Sequence, residues 1–232
     1  MAVGIIERSG PDFLASPKMA RRIPTMSQLE SPKLHRSAAG QFIFWGALAL
    51  VVVAVIWMRL GARRGDQGLN HPGVGRPLPA LNLKGLTGGA TDLDLQGVEG
   101  KVTLVNFWGV WCQPCRYELP HIAQLCRDFA ARKDFYLLAV SCPGGDGESF
   151  AELREETRQF LAGKKIELPT YADPDGATRQ AVGMALGGMD IPGYPTTVLL
   201  DRGGTIRAIW VGYESGVKED MRRAIEAELS KK

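Results

Sequence analysis

The stretch FWGVWCQPCRYELP, Phe107 to Pro120, decides how this chain is read. A mostly apolar run, KVTLVNFW (Lys101 to Trp108), leads into it and reads as a core strand. Behind the cysteines, Leu119, Ile122, Cys126 and Phe129 recur at spacings of three and four, one buried face of a helix. Strand, short turn and helix put Cys112 at the mouth of a helix that begins near Pro114. Proline suits that first turn, because its missing N–H would have no intrahelical partner. Unpaired N–H groups and the helix dipole favour negative charge there, so the Cys112 thiol is placed to ionise. Cys115 lies one turn in, buried behind Cys112 and close enough to bond it. One thiol of such a pair attacks and the other resolves the mixed disulfide.

Two other readings compete. A zinc site needs four ligands, and a ribbon would show a second CxxC; there is none, and Cys126, Cys142 and the three histidines lack ligand spacing. Two inert buried thiols would suit scattered cysteines better than W-C-x-P-C between an apolar strand and an amphipathic helix. Cys126 reads as packing on the buried helix face. Cys142 ends the strand DFYLLAVSC (Asp134 to Cys142), parallel to the one feeding Cys112, so it emerges at the same sheet edge. That leaves a resolving or regulatory role open to it, while a Cys126–Cys142 disulfide is not expected. His121 reads as a surface residue.

The remaining elements alternate. LNL and TDLDL (Thr91 to Leu95) read as short strands and Ser149 to Ala162 as a polar helix. A short strand around Leu168 to Ala172 and a helix in ATRQAVGM follow. PTTVLLD (Pro195 to Asp201) and TIRAIWVGY (Thr205 to Tyr213) form a hairpin turning at Arg202, Gly203 and Gly204, and an amphipathic helix runs from about Val217 to Leu229. This order describes an α/β sandwich with a mixed central sheet flanked by helices.

The first third of the chain differs in kind. Residues 1–41 mix Pro, Ser, Gly and charge without periodicity and read as a disordered tail. FIFWGALALVVVAVIWM, residues 42–58, is an uncharged run of 17 residues with Trp45 and Trp57 near its ends, the pattern of a short transmembrane anchor. A cleaved signal peptide is the rival reading, disfavoured by the long preceding segment, the length of the run and a weak LGA cleavage site at Leu60–Ala62. Residues 59–78 read as a Gly/Pro-rich tether and 79–232 as the folded domain. Through Leu78 there are ten Lys/Arg against four Asp/Glu, leaving 18 against 21 for the rest, so the formal +3 is an N-terminal property. The folded part shows no basic face of the kind that nucleic acid requires. Basic residues flank the apolar run on both sides, so charge alone assigns no orientation.

FWGVWCQPC, joined to the distant GYPTTVLLD (Gly193 to Asp201), resembles the thioredoxin superfamily, specifically the membrane-anchored TlpA/ResA-like thioredoxins of bacterial envelopes. The resemblance spans roughly Pro79 to Leu229. It implies a thioredoxin-like fold in which Pro195 is cis and packs against the disulfide, with Tyr194 presenting a backbone edge to an incoming peptide. It further implies an extracytoplasmic, periplasmic domain on a single-pass anchor, a membrane or envelope electron donor, and protein clients such as apocytochrome cysteines before haem attachment. It calls for no cofactor and no metal. Thioredoxin itself carries a buried aspartate where this chain has Asn106. ResA-like proteins instead use a glutamate just after the second cysteine, and Glu118 matches it, implying a role in managing the proton of Cys115. Trp111 is expected to shield the disulfide or shape client docking. Two alternatives stand beside the oxidoreductase. One is a thiol peroxidase of the peroxiredoxin type, whose Pro and Thr ahead of the cysteine are missing from FWGVWC. The other is a non-catalytic membrane-tethered partner-binding module, for which an intact WCQPC has no use.

Overall fold

The computed structural model describes residues 38–65, 67–145 and 147–231. The tail expected over residues 1–41 falls largely outside them. The chain divides into two units, residues 1–51 and 52–232. Helix α1 (Ala38–Gly65) begins before the uncharged run and continues past it. Its described side chains, residues 42–58, are all exposed. Among the described residues no helix is long and apolar enough to cross a membrane.

The folded body is a seven-stranded sheet in the order β2-β1-β5-β4-β3-β6-β7. Its strands are β1 (Asn82–Thr87), β2 (Leu93–Asp94), β3 (Val102–Trp108), β4 (Phe135–Ser141), β5 (Thr170–Ala172), β6 (Thr196–Leu200) and β7 (Ile206–Val211). Strands β3, β4 and β5 run parallel, and β6 pairs antiparallel with both β3 and β7. The helices are a single turn α2 (Leu95–Val98), α3 (Gln113–Asp128), α4 (Phe150–Lys164), α5 (Ala177–Ala185) and α6 (Val217–Ser230). Every residue of β3 is buried, as expected of a strand covered on both faces. Val102, Leu104 and Trp108 join one core with Leu119, Ile122 and Leu125 of α3 and Met221 and Ile225 of α6. Val105 and Phe107, pointing the other way, join a second core with Ala181 and Val182 of α5. This alternation places Asn106 on the α3 side.

The stretch expected as tether is docked from Gln67 onward. Gly68 and Ile209 exchange backbone hydrogen bonds of 2.6 and 3.0 Å, Pro77 bridges to Thr205, and Leu78 is buried. Residues 67–78 therefore cover the outer edge of β7, leaving no long row of unpaired backbone groups there.

Candidate active site

Cys112 and Cys115 are joined as a disulfide with Cα atoms 5.3 Å apart. Cys112 is the N-cap of α3, and its Sγ accepts a hydrogen bond from the Cys115 N–H at 3.3 Å. Pro114 lies in the first turn, where its lack of an N–H costs nothing. Cys112 keeps 5% of its surface and Cys115 none, so only one sulfur can be approached. Further along α3, Pro120 sits inside the helix and removes one rung of its hydrogen-bond ladder.

Glu118 lies one turn beyond Cys115 on the same buried face. It is 1% exposed. Its Oε2 accepts a 2.9 Å hydrogen bond from Asn106 Nδ2, which also donates to Thr197 Oγ1 at 2.8 Å. Burial pushes the Glu118 carboxyl up to about 7, with the Asn106 hydrogen bond pulling the other way. Glu118 Oε1, Asn106 Oδ1 and Trp108 Nε1 have no protein partner. Beneath the pair there is thus a carboxyl able to gain or lose a proton near neutrality.

The Tyr194–Pro195 peptide is cis. Pro195 is buried, and its carbonyl accepts from the Gly212 N–H at 2.7 Å. No hydrogen bond to the Tyr194 backbone is made by the described residues. The Tyr194 ring meets the Trp111 indole edge to face, 5.0 Å between centroids, and Arg179 Nη1 of α5 donates to its hydroxyl at 3.2 Å. Arg179 Nε is 3.0 Å from Asp190 Oδ2, an ion pair by distance that is not aligned as a hydrogen bond. Trp111, half exposed, donates from Nε1 to the Cys142 carbonyl at 3.1 Å. Its indole rests on Gly109 and Gly144, where an added Cβ would come within 2.5 and 2.8 Å of it.

The expected site residues thus fall into two groups. Cys112, Cys115 and Glu118 share α3, and Trp111, Tyr194 and Pro195 gather around the loop ahead of β6. Cys142 is at the active-site edge, where its N–H donates to the Trp108 carbonyl. Its thiol is buried, and burial pushes it up to about 12. Cys126 is half buried rather than buried, and His121, expected at the surface, is half buried with its ring stacked on Tyr213. Sequence reasoning passed over Arg179, Thr197 and the glycine shelf under Trp111. The signal for Thr197 was Asn106, a polar residue in the middle of a covered strand. A cleft of about 650 Å³ between residues 67–70 and α6 touches neither cysteine. A redox pair acting on other proteins works at a surface and needs no deep cavity.

A cysteine that caps a helix and keeps a sliver of exposed surface, a wholly buried partner one turn in and a cis-proline loop on a mixed sheet define a thioredoxin-fold thiol–disulfide oxidoreductase. The chain belongs to the AhpC/TSA family, whose model matches residues 74–209. It is 28% identical to the thioredoxin-like protein YneN of Bacillus subtilis, over 66% of this chain and 78% of that one. It is 27% identical to the thiol-disulfide oxidoreductase ResA of Oceanobacillus iheyensis, over 77% and 85%. Among solved structures, a thiol:disulfide interchange protein DsbE of Chlorobium tepidum superposes with a TM-score of 0.53 at 29% identity, covering 68% of this chain and 98% of that one.

Proposed function

We propose that this protein is a membrane-tethered reductant of disulfides in extracytoplasmic proteins. The observation that carries the reading is the asymmetry of the pair, with Cys112 Sγ held by the N–H of Cys115 at the helix N-terminus and Cys115 wholly buried. In the reduced protein that N–H and the helix dipole stabilise a Cys112 thiolate. The thiolate attacks one sulfur of a client disulfide, forming a mixed disulfide and expelling the other client sulfur as a thiolate. Glu118 takes the proton of Cys115, whose sulfur attacks Cys112 Sγ, releasing the second client thiolate and closing the Cys112–Cys115 disulfide. Two electrons pass from protein to client, and an envelope dithiol donor returns them. The free Tyr194 backbone supports pairing with an extended client segment, with Pro195 holding that edge and Trp111 walling it.

Membrane tethering rests on the uncharged run 42–58 and on the resemblance to anchored relatives; clients such as apocytochromes rest on the resemblance alone. A topology reporter fused after Lys232 should be active only outside the cytoplasm. Activity inside the cytoplasm would overturn that placement.

Trapping tests the chemistry. Cys115→Ala should accumulate client adducts on Cys112 that dithiothreitol releases, and Cys112→Ala should accumulate none. Absence of adducts from both variants would overturn the oxidoreductase reading. The family match itself favours a second reading, thiol peroxidase activity. Hydrogen peroxide consumption without client separates the two, because a peroxidase turns over peroxide and this protein should not.

A further inference from the structure

Gln67 is the first described residue after α1 within the folded unit, and its side chain imitates a strand. Its Nε2 donates to the Val211 carbonyl at 3.1 Å, and its Oε1 accepts from the Val211 N–H at 2.9 Å. Gly68 next to it exchanges two backbone bonds with Ile209. Together they clamp the outer side of the end of β7, at Ile209 and Val211. Val211 is followed by Gly212, whose backbone φ of +79° suits glycine and whose N–H holds the Pro195 carbonyl at 2.7 Å. Gly212, just past the end of β7, thus supports the cis-proline loop from the inner side. The side-chain bonds of Gln67 to Val211, the peptide bond from Val211 to Gly212 and the backbone bond from Gly212 to Pro195 connect the docked segment to the edge offered by Tyr194.

We propose that Gln67 is a positioning residue for client binding, holding the end of β7 so that the Tyr194–Pro195 edge is preformed. The proposal rests on the oxidoreductase reading above. Fraying of Val211 and Gly212 would release the Pro195 carbonyl, and a client would then have to order that edge on binding. The sulfur atoms lie on a different element, α3, so their intrinsic reactivity is untouched. Loss of Gln67 therefore weakens capture of peptides and spares reaction with small thiols.

The full-length chain and its Gln67→Ala variant are compared by three measurements. These are reduction of the Cys112–Cys115 disulfide by dithiothreitol, steady-state reduction of a peptide carrying one internal disulfide, and amide exchange at Gly212. Losing the two bonds should raise the peptide KM about fivefold with kcat unchanged. The dithiothreitol rate should stay within about twofold, and Gly212 exchange should quicken about tenfold. Gln67→Glu, which keeps the acceptor for the Val211 N–H and loses the donor, should fall between. An unchanged peptide KM, an unchanged Gly212 exchange rate, or a dithiothreitol rate that falls in step with the peptide rate would each overturn the proposal. If the wild-type chain reduces no peptide at all, the oxidoreductase reading fails instead, and Gly212 exchange alone judges the clamp.

Discussion

Glu118 joins stability to chemistry at the scale of one residue. Its carboxyl ordinarily titrates at 4.5 and is raised to about 7 by burial. An acid raised on folding binds more protons in the folded state, so its stabilising contribution is complete below about pH 4.5 and is lost as pH rises through about 7. The full swing is on the order of 3 kcal/mol. With the cysteines kept oxidised, the urea midpoint should fall from pH 5 to pH 8, and Glu118→Gln should flatten that fall. Parallel slopes for the two proteins would show that Glu118 is not the titrating group. The same variant, reduced, should release trapped clients more slowly at pH 7. Gly109→Ala makes a steric prediction instead. Its Cβ would fall 2.5 Å from the Trp111 indole nitrogen, so the indole must leave its seat and lose the Cys142 carbonyl. A cost of about 1–3 kcal/mol in denaturant unfolding is expected, together with a changed tryptophan emission.

At the scale of elements, the strands and long helices were legible because hydrophobic period and capping agree. Ser149 accepts from the Glu152 N–H while the Glu152 carboxylate accepts from the Ser149 N–H, a reciprocal cap that starts α4 where its apolar face starts. Ser149→Ala should lower thermal stability by about 1 kcal/mol; no change in unfolding midpoint would mean that α4 frays without consequence. The site was legible in Cys112, Cys115 and the proline before β6, since each has a signature within a few residues. The polar layer was legible only in part. The resemblance marks Glu118, but beside Arg116, Tyr117 and His121 it also reads as a solvated helix charge, and only the packing of α3 on β3 buries it beside Asn106. Arg179 is silent in sequence, since its partner Tyr194 lies 15 residues away across a turn.

For the whole molecule, the largest departure from the sequence reading is the segment 67–78. Gly, Pro and polar residues there read as a tether, because docking by backbone bonds and one glutamine leaves no hydrophobic period. Its presence finishes the sheet edge. A fragment beginning at Pro79 should expose β7 and associate with itself as concentration rises, while one beginning at Gln67 should stay monomeric by sedimentation. Equal behaviour of the two fragments would remove the edge-covering role. The sheet also separates the two remaining thiols, with Cys126 packed against the core under α3 and Cys142 buried in the core on the opposite face. Neither can meet the other without unfolding. Counted as a battery, each polypeptide therefore holds a single two-electron charge, with no second store to fill under oxidative load and no internal short circuit to drain the first.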